Sequence, residues 1–257
     1  MPVDYHMHTV FSDGKGKHID YIAKGQKEQL TAIGFSEHIC FQDVRWTVHP
    51  DVVDHWVSAM LELRSKSSFP VKFGVEMDYL EGKEEEIAAF LKKYDFDYVY
   101  GSVHFIDEWN FDVNRLDKFE EFDTYDLYKK YFRLVQKAAR SGLFDIMSHA
   151  DLIKKFNYRP QQDITDIYRE TARAFQEGGV VFEINTSGQN KKCAEFYPAR
   201  PLIEACFKAG VPVTLGSDAH KPEEVGQHFN EAIALLKEIG YTGVVSFDKR
   251  QRQVLTI

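Results

Sequence analysis

Cysteine is scarce in this 257-residue chain: there are three, Cys40, Cys193 and Cys206, far apart and odd in number. That excludes a disulfide scaffold and fits a reducing cytoplasm. Long apolar runs are missing as well, and nothing approaches the roughly 18 residues that a membrane-crossing helix needs. The N-terminal MPVDYHMHT has neither the basic stretch nor the apolar stretch of a secretory signal. Positive charge is the minority sign, with 32 Lys and Arg against 40 Asp and Glu and a formal net charge of −8. No basic run is long enough to follow a phosphate backbone, so nucleic acid is not an expected partner. No low-complexity linker or fixed-period repeat interrupts the chain, which reads as a single domain over residues 1–257. The remainder is ordinary for a globular protein, 44% hydrophobic and 28% charged, which excludes collagen-like and disordered classes. Against this background ten histidines stand out, most of them in short, unusual contexts.

Short apolar runs alternate with longer amphipathic ones. Strands are expected over 3–8, 32–38, 71–79, 97–105, 144–149, 180–185 and 213–217. Helices are expected over 19–29, 51–66, 83–93, 124–141, 163–177, 198–209 and 229–239. Within the fourth, Leu127, Tyr128, Tyr131, Leu134, Val135 and Ala138 recur at helical spacing and mark one buried stripe. Gly142, Gly179, Gly210 and Gly240 stand where helices should stop. Strands alternating with helices imply parallel β/α units, so the expected fold class is α/β, a distorted (β/α)7 barrel. The tail VVSFDKRQRQVLTI adds an eighth strand or folds as a small hairpin turning at DKRQR.

The histidines fall at strand ends. His6 and His8 end the first expected strand, His38 the second, Glu76 the third, His104 the fourth and His149 the fifth, while Asp218 and His220 follow the seventh. The C-terminal ends of barrel strands meet at one face, so residues from both ends of the chain converge there. In His6-Met7-His8, residues i and i+2 of a strand share one side and can grip one ion; Asp218-Ala219-His220 repeats the spacing. Imidazoles and carboxylates without thiolate suit Zn²⁺, Mn²⁺ or Fe²⁺. These donors exceed one tetrahedral site, so two or three divalent ions are expected, with Glu76 a natural bridge. A lone strand-end histidine is usually a satisfied core or surface residue, but so many at separate strand ends are hard to obtain by accident. His18, His49, His55 and His228 are expected at the surface or beside the substrate.

The segments DYHMHT, GFSEHI, GVEMDY, GSVHF, SHADL and GSDAHKP, in order across nearly the whole chain, resemble the PHP (polymerase and histidinol phosphatase) superfamily of metal-dependent phosphoesterases. FDYVYGSVHF, SHADLIKKF, EINTSG and GSDAHKPEEVG resemble its histidinol-phosphatase branch more closely. By that resemblance His6, His8, Glu76 and Asp218 match one metal site. Glu76, His104 and His149 match a second that shares Glu76, and His38 with His220 match a third. One position departs from the pattern. Many relatives carry a further histidine six residues after the second His of the first motif, where this chain has Gly14. The neighbouring Asp13 is the candidate for that role, although a Ser-Asp-Gly turn has its own local use for Asp.

The branch implies a phosphatase that hydrolyses L-histidinol phosphate to L-histidinol and phosphate in histidine biosynthesis, in the cytoplasm. Attack by a metal-bridging hydroxide is the implied step, with Glu76 and Asp218 as catalytic residues and Asp218 aligning the water. No phosphate-cradling G-x4-G-K-[ST] and no G-x-S-x-G motif offers another route. Lys155 and Arg159 after the fifth strand and Lys191 after the sixth match basic loop positions of the family and are candidates for the substrate phosphate. Asp43, Asp107, Glu108 and Trp109 are candidates for its imidazole and ammonium. Glu37, pointing opposite to His38 on a strand, is expected to support rather than ligate. Two other readings stay open: a PHP enzyme for phosphotyrosine or a nucleotide, and a non-catalytic metal-binding scaffold. The expected partner is a small-molecule phosphate monoester, with no membrane; the oligomeric state is open.

Overall fold

The structure, a computed structural model, describes residues 2–113 and 117–257. In chain order the first half contains α1 (His18–Lys27), β1 (Ile33–Phe35), β2 (His38–Ile39), α2 (Val53–Lys66), β3 (Val71–Asp78), α3 (Glu84–Lys93), β4 (Tyr98–Ser102), β5 (Phe105–Ile106), β6 (Trp109–Asn110) and α4 (Lys118–Glu121). The second half adds α5 (Thr124–Arg140), β7 (Ile146–Met147), α6 (Thr165–Gly178), β8 (Val181–Asn185), α7 (Arg200–Lys208), β9 (Val213–Gly216), α8 (Phe229–Ile239), β10 (Gly243–Asp248) and β11 (Gln251–Thr256). Every position of β4, β8 and β9 is buried, as in a parallel sheet covered on both faces. The stripe on α5 faces inward, and Phe132 and Ala139 extend it. Asp123 caps that helix by accepting the Asp126 N–H, and Lys137 and Arg140 stand at its negative end.

β1 and then β2 pair with successive stretches of β3, forming one stave, and β4, β7, β8 and β9 follow in parallel. Residues 3–8 do not form the continuous strand expected of them. They make two isolated parallel bridges, Asp4 to Ile33 and Met7 to Ala219. Side chains explain the interruption: the Asp4 carboxylate accepts the amides of Ser217 (3.0 Å) and Gly226 (2.9 Å), and the Met7 amide donates to Ser36 Oγ (3.3 Å). Since one bridge reaches β1 and the other the residues after β9, this segment closes the ring as a seventh stave. The fold is a distorted (β/α)7 barrel.

The tail forms the antiparallel hairpin β10–β11, so there is no eighth stave. Its turn residues Lys249 and Arg250 both have positive φ, the geometry a tight hairpin requires. Val245 and Phe247 of the hairpin pack in one cluster with Tyr5 and Tyr98 at the N-terminal end of the barrel, and Tyr100 of the same cluster lies against His6, between this packing and the histidine face. Tyr98 is fully buried, stacks on Tyr5 at 4.7 Å between ring centroids and donates its hydroxyl to Tyr5 O (2.7 Å). Gly34 and Gly74 make room for it, since a Cβ at either would collide with its ring. No helix among the described residues is long and apolar enough to cross a membrane.

Removing this ring leaves a cavity at the base of the barrel. Tyr98→Ala is expected to lower unfolding stability by about 3–5 kcal/mol in equilibrium denaturation. A loss below about 1 kcal/mol would mean that the site collapses without strain.

Candidate metal centre

β3 is polar where a buried strand should be apolar. Glu76 and Asp78, two residues apart and therefore on one face, are both at 1% exposure. Glu76 Oε2 lies 3.0 Å from His6 Nε2, 3.3 Å from His8 Nε2 and 2.9 Å from His38 Nδ1. Its other oxygen lies 2.9 Å from His149 Nε2 and 3.8 Å from His104 Nε2. One carboxylate thus meets five imidazoles from the ends of four staves, two of them from the first. Asp218 sits beside them with φ of 52°, a left-handed geometry that Asp tolerates better than most residues. Its Oδ1 is 3.3 Å from His8 Nε2, 3.7 Å from His6 Nε2 and 3.6 Å from His220 Nδ1. Asp13 joins from the loop after the first stave, 3.3 Å from His220 Nε2 and 3.7 Å from His38 Nε2, with its side chain 35% exposed. All nine candidate ligands are therefore brought together.

Buried polar residues behind them hold these rings in place. Glu183 takes His6 Nδ1 at 2.7 Å, and Asp78 takes His104 Nδ1 at 2.9 Å, turning each Nε2 toward Glu76. Asn185 and Ser187 each donate to Asp218 Oδ2 at 3.2 Å, and Ser102 donates to Glu76 Oε1 at 2.5 Å. These residues carry no metal-ligand spacing of their own in the sequence. The available signal was a polar pair two apart inside an apolar strand, in VEMD and again in FEIN. Glu37 supports rather than ligates: it accepts the Thr9 amide (3.0 Å) and the hydroxyls of Thr9 (2.5 Å) and Ser12, pinning the loop that carries Asp13.

The cluster floors a cavity of about 240 Å³, also lined by Trp46, Asp112, Leu152, Lys155, Asn190, Lys191, Tyr197, Glu224 and Gln227. Two of the three basic candidates reach it. Lys155 is paired with Asp112 at 2.6 Å, whereas Lys191 has no carboxylate partner among the described residues. Arg159 is not on the wall; Glu195 takes its guanidinium at 3.0 Å and Asn157 accepts from its Nε at 3.3 Å. Asp107, Glu108 and Trp109 line a different cavity with Lys118 and Phe122, and Asp43 is absent from the histidine cavity too. The aromatic wall is Trp46, which packs edge-on against His38 (4.8 Å) and His104 (5.3 Å). His18 begins α1 and packs on Phe35, His49 and His55 are exposed, and His228 contacts the rim residue Asn190 at 3.2 Å.

The sequence matches the PHP domain family over residues 4–187, and residues 203–238 match the PHP-associated family. The chain belongs to the PHP family. It is 33% identical to the "Probable histidinol-phosphatase" of Deinococcus radiodurans, over 97% of this chain and 98% of that one. It is 25% identical to the histidinol-phosphatase of Bacillus subtilis, over 87% of this chain and 95% of that one. Its fold is that of the histidinol phosphate phosphatase of Lactococcus lactis subsp. lactis, whose crystal structure is complexed with zinc, L-histidinol and phosphate. That likeness has a TM-score of 0.83 at 21% identity, covering 98% of each chain.

The residues of this PHP centre fit divalent ions. Neither ring nitrogen of the fully buried His8 has a hydrogen-bond partner, although two carboxylate oxygens lie at 3.3 Å. Four sets of donor atoms lie within 4.8 Å of one another: His8/Asp13/His38/His220, His6/His149/Asp218, His6/His8/Glu76 and His38/Glu76/His104. Without ions, protons must do the neutralising. Burial opposes charge on His6, but Glu183, Glu76 and Asp218 outweigh it and hold its pKa well above the usual value. His104, buried likewise, is pushed up to about 9 by Asp78 and Glu76. His8 goes the other way, down to about 3, through burial and then the charges of His38 and His220.

Imidazole groups with raised pKa are protonated near neutral pH in the ion-free protein, and an ion needs the same lone pairs. Ion binding is therefore expected to release protons at about pH 7, and affinity to fall as the pH is lowered toward about 6. Calorimetric titration in buffers of different ionisation enthalpy measures this directly. Binding without proton release would contradict the arrangement.

Proposed function

We propose that residues 1–257 form one catalytic unit, a metal-dependent phosphomonoesterase that hydrolyses L-histidinol phosphate to L-histidinol and phosphate in histidine biosynthesis, in the cytoplasm. The observation that carries this is the Glu76-centred cluster of carboxylates and imidazoles on the floor of a small cavity, with Lys155 and Lys191 on its wall. Full-length similarity to proteins named histidinol-phosphatase supports the substrate. The cavity suits a small phosphate monoester better than a strand of nucleic acid or a membrane surface.

His6, His8, Glu76 and Asp218 would hold one ion, Glu76, His104 and His149 a second, and His38, His220 and Asp13 a third. Two or three ions of Zn²⁺, Mn²⁺ or Fe²⁺ fit these donors. When bound, such ions lower the pKa of water and neutralise charge on phosphate oxygens. Glu76 spans the cluster because its two oxygens face different imidazoles. Asp218, its Oδ2 fixed by Asn185 and Ser187, turns Oδ1 toward the floor, where it accepts a hydrogen bond from the attacking water and aligns it with phosphorus. Lys191 supplies an uncompensated positive charge for the phosphate, and Lys155 a second one moderated by Asp112. Arg159 shapes this loop through Glu195.

Glu76→Gln, His104→Ala and Asp218→Asn are each expected to lower kcat on histidinol phosphate at least about 100-fold, while the exposed His49→Ala and His55→Ala stay near wild type. Phosphate release checks this, and equal losses in both groups would overturn the assignment. In the same assay histidinol phosphate should exceed p-nitrophenyl phosphate, phosphotyrosine and a 5′-phosphorylated oligonucleotide in kcat/KM. Phosphotyrosine or the oligonucleotide in first place would remove the histidine-pathway assignment and leave the metal site standing.

A further inference from the structure

Glu183 is fully buried, yet it is absent from every set of mutually close ligand atoms. Its Oε1 meets His6 Nδ1 at 2.7 Å, on the side of the ring away from Glu76. Its Oε2 accepts the backbone N–H of His149 (3.0 Å) and the Asn185 amide (3.1 Å), and that same amide nitrogen reaches Asp218 Oδ2 at 3.2 Å. One carboxylate on β8 therefore holds ligands from three other places in the ring: the first stave, the end of β7 and the end of β9. The neighbouring strand is cut away to admit it. Gly216, opposite Asn185 in the β8–β9 register, could not carry a Cβ without striking the Glu183 carboxylate and the Cβ of His6.

A buried carboxylate needs a positive counterpart. The ring of His6 is that counterpart, and it stays so when an ion takes the place of the proton on Nε2, since ligation polarises the Nδ1–H. We infer that Glu183 is a positioning residue for the metal centre. It fixes the His6 tautomer, raises the affinity of His6 for its ion, and ties His149 and Asp218 to the same support so that the ligand shell forms as one piece. Gly216 is the space that makes this possible. The inference rests on the metal-dependent reading above.

The test measures the affinity of the full-length chain for Mn²⁺ or Zn²⁺ alone, by competition with a chromophoric chelator. Glu183→Gln keeps an oxygen to accept the Nδ1–H and removes the charge. It is expected to weaken binding about 10- to 100-fold. Saturating ion should restore most of kcat, which a collapsed barrel would not do. Gly216→Ala, which displaces the carboxylate without removing it, should weaken binding in the same direction and carries the test should the Gln variant not fold. Glu183→Gln affinity within about twofold of wild type would overturn the role of Glu183. A wild-type chain that binds no divalent ion would overturn the functional reading itself, and this inference with it.

Discussion

A carboxylate with no water around it has to be met by positive charge or by polarised hydrogen, and Glu76 is met by imidazoles on five sides. No single strand or helix can deliver that many rings to one point. A closed ring of parallel staves can, because each stave ends at the same height and aims one side chain inward. The register shows how tightly this is set: His38 of β2 and Tyr100 of β4 stand directly beside Glu76 on the two flanks of β3. A slip of one residue in either pairing would turn the inward side chain to the opposite face and take it out of the cluster.

That demand explains where the barrel departs from regularity. At the first stave the ladder is broken so that Asp4 can clasp the amides of Ser217 and Gly226, which fixes the chain just before Asp218. At the opposite end the barrel is packed with tyrosines and sealed by the β10–β11 hairpin, and Gly34 and Gly74 give up their side chains to fit Tyr98. One end is dense and apolar while the other is polar and held by hydrogen bonds. The low-dielectric base makes each unpaired polar atom at the centre more costly, so bound ions and supporting carboxylates are more strongly favoured.

Much of this was legible in the residues. Strands buried on both faces show as apolar runs and helices as stripes, so the order of β/α units and the strand-end histidines could be read directly. Residues 3–8 misled because their composition is strand-like while Asp4 and Ser36 divert the backbone donors, a tertiary effect no local pattern carries. The supporting residues were hidden for a different reason. Glu183 and Asp78 lie far from every histidine in sequence, and their meaning depends on which ring each one touches. Arg159 is expected at the phosphate from its basic loop, and its guanidinium is held by Glu195, which lies in another loop. Trp46 rather than Trp109 walls the cavity, since β5–β6 carries Trp109 away to pack on Phe119.

With Arg159 tied to Glu195 and Lys155 tied to Asp112, Lys191 is left as the lining cation without a carboxylate partner among the described residues. Lys155 and Lys191 follow β7 and β8, whereas Trp46 follows β2 on the far side of the ring. Among the described residues Lys155 and Lys191 are the lining cations, so on the proposed reading most of the binding energy of a phosphate dianion would come from ions held by the floor. That makes recognition of the phosphate and assembly of the metal shell a single property of the centre. Trp46, Asp112 and Glu224 line the same cavity and belong to none of the four donor sets.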